Sequence, residues 1–190
     1  MSPILGIYAS QISGHLYFVP SAYESIATVT VGSGGSSSIS FTSIPSTYTH
    51  LQIRAISRGA NSAANDEPTM QFNGDTGSNY YTYHQIFGDG TSAFANSGGT
   101  GSKINYIFGP AGSALANSFA ASILDILDYS NTNKNKTVKN LEGFDVNGSG
   151  GYIVFRSGFW INTAAISSIT LTPQTGSFAQ YSSFALYGIR

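Results

Sequence analysis

The run "GYIVFRSGFWI" (Gly151 to Ile161) is dense in β-branched and aromatic residues and lies between the glycine-rich "NGSGG" and the turn-like "NTAA". That combination reads as a strand between turns. Two more such runs, "ISSITLTP" (Ile166 to Pro173) and "SSFALYGIR" (Ser182 to Arg190), complete the last third of the chain, separated by "QTGSFAQY". Pro173 closes the first of them, where a ladder N–H is no longer required. The C-terminal third is strand and turn throughout.

The pattern continues toward the N-terminus. In "SIATVTV" (Ser25 to Val31), Ala27, Val29 and Val31 share one face and Ile26 falls on the other. "GSGGSSS" is a flexible turn, and Ile39 and Phe41 of "SISFTSI" share a face. "HLQIRAISR" (His50 to Arg58) sets Leu51, Ile53 and Ala55 against Gln52 and Arg54. Ile56 then falls out of phase, as at a bulge or a strand end. "SFAASILDILDY" (Ser118 to Tyr129) is ambiguous between three helical turns and a strand. Strand is favoured, because the polar "SNTNKNKTVKNLEGFDV" after it reads as a turn and a returning strand. About ten short strands spaced by turn residues predict an all-β fold, an antiparallel β-sandwich of jelly-roll-like type.

Residues 1–22 differ, being apolar but punctuated by Gly, Pro and Ser without clean alternation. They read either as a first strand with a loop or as an N-terminal arm whose Ile4, Leu5, Ile7 and Tyr8 anchor it on another subunit or on a particle. The expected division is an arm over 1–22 and one sandwich domain over 23–190.

Composition excludes several function classes. Only 9% of the 190 residues are charged and the net charge is -1. No basic patch is available to neutralise phosphates, so nucleic acid is not an expected partner. The chain has no cysteine, hence neither disulfides nor a thiolate metal site. No apolar run is long enough for a membrane-spanning helix, and "MSPILGIYAS" lacks the features of a secretory signal.

Asp75-Thr76-Gly77-Ser78 has the form of an aspartic protease signature. Such a site requires two carboxylates on buried tight loops, sharing a proton. Here Asn73 and Gly74 precede Asp75, no second such element follows, and "NGDTG" reads as a turn with positive φ at Gly74 and Gly77. His15, His50 and His84 are far apart with no ligand spacing. Asp125 and Asp128, with Asn131 and Asn133, offer oxygen ligands that calcium accepts, but on a strand the two carboxylates face opposite ways. Asp66-Glu67 before Pro68 reads as a solvated loop. Neither a metal, a cofactor nor catalysis is expected.

Aromatic residues are the remaining lead. Phe155, Phe159 and Trp160 are assigned to the core. For Tyr80, Tyr81 and Tyr83, with Asn79, core packing, a subunit interface and contact with a glycan stay open, since rings stack on sugar faces while amides bond hydroxyls.

Three segments, "PILGIYASQ", "YESIATVTVGSGGSSSISFTSIPSTYTHLQIRAISR" and "SSITLTPQTGSFAQYSSFALYGIR", resemble small virion or tail-fibre-like proteins of tailed bacteriophages, over residues 3–58 and 117–190. The resemblance implies a non-enzymatic structural protein, assembled in the host cytoplasm and exposed on the released virion. It further implies a homo-oligomer, preferably a trimer. The arm would contact other virion proteins, and loops 59–68, 74–82 and 88–102 would meet a host-surface glycan. A capsid decoration protein and, less favourably, a tail-associated glycan hydrolase are the alternatives.

Overall fold

The computed structural model describes residues 22–147 and 150–190. Ile4, Leu5, Ile7 and Tyr8 lie outside the described residues.

The chain is all-β, with fifteen strands and no helix among the described residues. The large sheet holds β1 (Tyr23–Thr30), β3 (His50–Ser57), β6 (Tyr80–Gly88), β7 (Ala93–Ser97), β8 (Thr100–Gly101), β11 (Ala120–Ile126), β12 (Lys136–Phe144), β13 (Tyr152–Trp160) and β15 (Ser183–Ile189). Its order is β1-β15-β3-β11-β12-β13-β6-β7, with β8 also paired to β6. The small sheet runs β2 (Ile39–Phe41), β14 (Ile169–Thr172), β5 (Thr69–Phe72), β9 (Ile104–Asn105), and a two-stranded ribbon joins β4 (Asn65–Asp66) to β10 (Gly109–Pro110). Every pairing is antiparallel.

The connectivity is that of one long hairpin rolled up. β1 pairs with β15, β2 with β14, β3 with β11 and β5 with β9. Two excursions, β6–β8 and β12–β13, extend the large sheet beyond β11. The ambiguous segment is thus a strand, as its alternating burial of Ala120, Ser122, Leu124 and Ile126 requires. Ile26 sits at a bulge between Ser25 and Ala27.

One apolar cluster joins the sheets, including Leu51, Ile53, Leu124 and Leu186 of the large sheet and Ile39, Phe41, Met70, Phe72, Ile169 and Leu171 of the small one. Trp160 lies 5.5 Å from Phe72 and 6.2 Å from Tyr80, ring centroid to centroid. β13 can approach β9 so closely only because residue 158 is glycine: a Cβ there would lie 2.4 Å from Ile104 Cγ2.

Candidate functional site: the outer face of the large sheet

Strand alternation places every second residue of the large sheet on the face turned away from the small sheet. On that face Ile123 pairs with Leu141, Leu141 with Phe155, Phe155 with Ile86, and Ile86 with Ala95, forming one row across five strands. The next row carries Ile56, Ala121, Gly143 and Ile153 in register. Ile56, Ile86, Ile123, Leu141, Ile153 and Phe155 are 47–69% exposed. Between the rows lies a shallow depression of about 490 Å³, walled by Ile56, Ile123, Leu141 and Ile153 and floored by Ala121 and Gly143.

Asp125 and Lys139 on this face pair with each other, whereas Arg54 is held by a neutral amide and two rings. Lys139 Nζ reaches Asp125 Oδ2 at 3.2 Å, and Gln52 donates to Asp125 Oδ1 at 2.8 Å. Arg54 donates to Gln52 and lies 5.2 Å from the Tyr23 ring and 5.1 Å from the Tyr187 ring. The result is an apolar field bordered by Arg54 and by the Asp125–Lys139 pair.

The expected assignment of Phe155 to the core is corrected: it belongs to this outer face, while Trp160 is in the core and Phe159 is half-buried on the outer side. Ile56 marks no bulge; it is paired in register one residue before β3 ends and points outward. Its phase slip was the one sequence signal of the patch.

The Asp75 segment is a turn. Asp75 N–H donates to Phe72 O at 2.9 Å across Asn73 (φ 52°) and Gly74 (φ 67°), whereas Gly77 has no positive φ. The turn passes the chain from the small sheet to the large one rather than closing a hairpin. Hydrogen bonds from Trp160 Nε1, and then from Gly77 N and Asn79, hold the Asp75 carboxyl below the usual range.

The four residues proposed for glycan contact do not form one surface. Tyr80 is fully buried, its hydroxyl accepting from Phe72 N and lying within 3.3 Å of the backbone oxygens of Phe72 and Asp75, so it offers a ligand nothing; burial pushes its hydroxyl up to about 12. Tyr83 lies under the Arg156 guanidinium at 5.2 Å. Tyr81 stacks on His84 at 4.7 Å on the outer side, and Asn79 is exposed with its amide on Asp75. Of the expected receptor loops, turn 89–92 stands at the opposite end of the nine-residue β6 from turn 74–79, about 30 Å away, whereas Thr100–Gly101 return beside Tyr80 and Tyr81.

Beneath the sheet extension lies a sealed polar cluster. Glu142 accepts from Phe108 N and Asn140 Nδ2, both at 2.8 Å, and Ser122 donates to Asn140 Oδ1 at 2.7 Å. Arg156, 2% exposed, pairs with Glu67 at 3.0 Å. Burial raises Glu142 to about 8, against the lowering charge of Arg156. The expected solvated loop at Asp66-Glu67 is therefore wrong. Asp66 is buried and held by Asn61, and Glu67 neutralises a buried arginine.

No family model and no curated protein matches the chain. Among solved structures, the marine PL-14 alginate lyase from Aplysia kurodai is similar over 95% of this chain and 92% of that one, with 9% identity and a TM-score of 0.33. A likeness that distant assigns neither fold nor activity. Among the described residues no group of three or more His, Asp or Glu could hold a metal ion, and no helix is long and apolar enough to cross a membrane. Asp125 and Asp128 are separately engaged, the second with Lys134 at 2.6 Å in a turn.

Proposed function

We propose that this chain is a non-enzymatic structural subunit of a tailed-bacteriophage particle, an oligomeric tail-fibre or receptor-binding component that packs the outer face of its large sheet against a neighbouring copy. The observation carrying this reading is the apolar double row from Ile56 to Ile86. An antiparallel sheet with one face on a core ordinarily turns polar residues to water on the other. A contiguous apolar patch beyond roughly a few hundred Å² marks an interaction surface. The face carries few charges: Asp125 and Lys139 pair with each other, and the Arg54 guanidinium at its border is held by Gln52 and two tyrosine rings, so apolar contact dominates what a second copy would meet.

Two further features support the reading. The rolled-hairpin order fits a jelly roll, an architecture frequent in viral capsid and lectin domains. Each of the nine carboxylates has a structural partner: Asp89 and Asp145 cap turns, Glu24 binds Tyr48 and Arg190, and the other six are engaged as described above. Engagement of every acid within the fold supports a structural role over glycoside hydrolysis, which needs a pair of carboxylates facing a substrate. Any glycan contact falls on Tyr81, His84 and Asn79. Three-fold symmetry and the arm's attachment to other virion proteins follow from the resemblance and belong to this proposal.

The test has two parts. Sedimentation of the full chain is expected to give an oligomer that Leu141→Glu dissociates without unfolding. Immunogold labelling of intact phage is expected to mark the tail fibres. A wild-type monomer would overturn the assembly role, and label over the head would replace the tail reading with a capsid decoration protein.

A further inference from the structure

We propose that the edge of β7, unpaired among the described residues, is a second assembly surface, pairing with β7 of another copy about a two-fold axis so that the large sheet continues from one subunit into the next. This builds on the proposed assembly role but uses a different surface from the outer face.

Exposed sheet edges are ordinarily blunted by charge, proline, bulges or short length. Among the described residues, four of the five edge strands of the two sheets are blunted in this way. β1 has the Ser25–Ala27 bulge and the Glu24–Arg190 ion pair, β2 has three residues, and β8 and β9 have two each. β7 has none of these devices. All five residues of Ala93–Ser97 are exposed, their pairing to β6 is uninterrupted, and no residue from Gly90 to Ser102 is charged.

The hydrogen-bond phase of β7 defines what its edge can accept. Asp89 N donates to Ser92 O, and Gly98 N donates to Tyr83 O. Bonded pairs in an antiparallel ladder alternate, so Phe94 and Asn96 spend their backbone groups on Phe87 and Gln85. The N–H and C=O groups of Ala93, Ala95 and Ser97 therefore point outward. This set is symmetric about Ala95. A two-fold axis there makes Ala95 exchange both bonds with Ala95 of the second copy, while Ala93 and Ser97 exchange theirs with each other. Only small side chains then meet on the outer face, and the row Leu141–Phe155–Ile86–Ala95 runs unbroken through the axis.

Ala95→Pro removes the central outward donor and leaves the bonds to β6 intact, a placement proline tolerates on an edge. Sedimentation of the full chain should give half the wild-type mass for Ala95→Pro, a dimer for Leu141→Glu and a monomer for the double variant. The chain has no cysteine, so single-cysteine variants report the register. Ala95→Cys should cross-link to itself under mild oxidation, because directly paired Cα atoms lie about 5.5 Å apart. Ala93→Cys should not, because its own copy lies beyond the roughly 7 Å that a disulfide spans. An unchanged mass for Ala95→Pro, or equal cross-linking at 93 and 95, would overturn the edge pairing. If Leu141→Glu keeps the wild-type mass instead, the outer-face reading fails and the edge pairing stands.

Discussion

The indole N–H of Trp160 donates to Asp75 Oδ2 at 2.8 Å, across 85 residues of sequence. The acid that imitates a protease signature thus anchors the sole tryptophan of the chain to the turn joining the two sheets. The same carboxylate accepts from Gly77 N at 2.9 Å.

Asp75→Ala is expected to destabilise the fold by about 2 kcal/mol, the usual loss for hydrogen bonds to a charged group. With Trp160 as the only indole, the change should also shift its fluorescence. Denaturant unfolding followed by fluorescence checks both, and an unchanged midpoint would show that the turn stands without the carboxylate.

Glu142 sets a pH dependence of unusual sign. Its native pKa of about 8 lies above the ordinary value of 4.5, so between these values the native state holds a proton that the unfolded chain has released. Stability is then fully present below about pH 4.5, falls as pH rises to about 8, and is flat above. Asp75 and Asp128, whose pKa values are lowered, act oppositely and lose stability on acidification below pH 3.8. Glu142→Gln should flatten the decline in melting temperature between pH 5 and pH 8. A slope identical to that of the wild type would assign the effect elsewhere.

The Arg156–Glu67 pair should be costly to break and cheap to replace. Glu67→Leu leaves a buried guanidinium without its partner and is expected to cost about 3–5 kcal/mol. Glu67→Leu with Arg156→Met should recover most of that loss, because the double change removes both desolvated charges. A double-mutant cycle in urea measures the coupling, and strictly additive losses would contradict it.

Gly188 marks a close approach of another kind. A Cβ there would lie 2.3 Å from Tyr48 Cγ. Gly188→Ala must displace the Tyr48 ring, whose hydroxyl donates to Glu24 at 2.8 Å. A loss of about 1–3 kcal/mol is expected from overpacking, visible as a lower thermal midpoint. A variant as stable as wild type would mean that the ring relocates freely.

The sequence by itself determined the all-β class, most long strands and the turn at Asp75, because these follow from period-two patterning and local turn chemistry. The phase of Leu51, Ile53 and Ala55 named the core face of β3 without help from the rest of the chain. Only the tertiary structure decided what the opposite phase meant. Ile56, Leu141, Ile153 and Phe155 look like further core residues one strand at a time, and they become a surface only when four strands in register put them side by side. Tyr80 and Tyr83 left the glycan candidates for the same reason, since partners distant in sequence, Trp160 and Arg156, had claimed their rings. Glu67 and Arg156 carry no local signature at all: their pairing spans 89 residues, and burial, which makes it matter, is a property of the packed sheets alone.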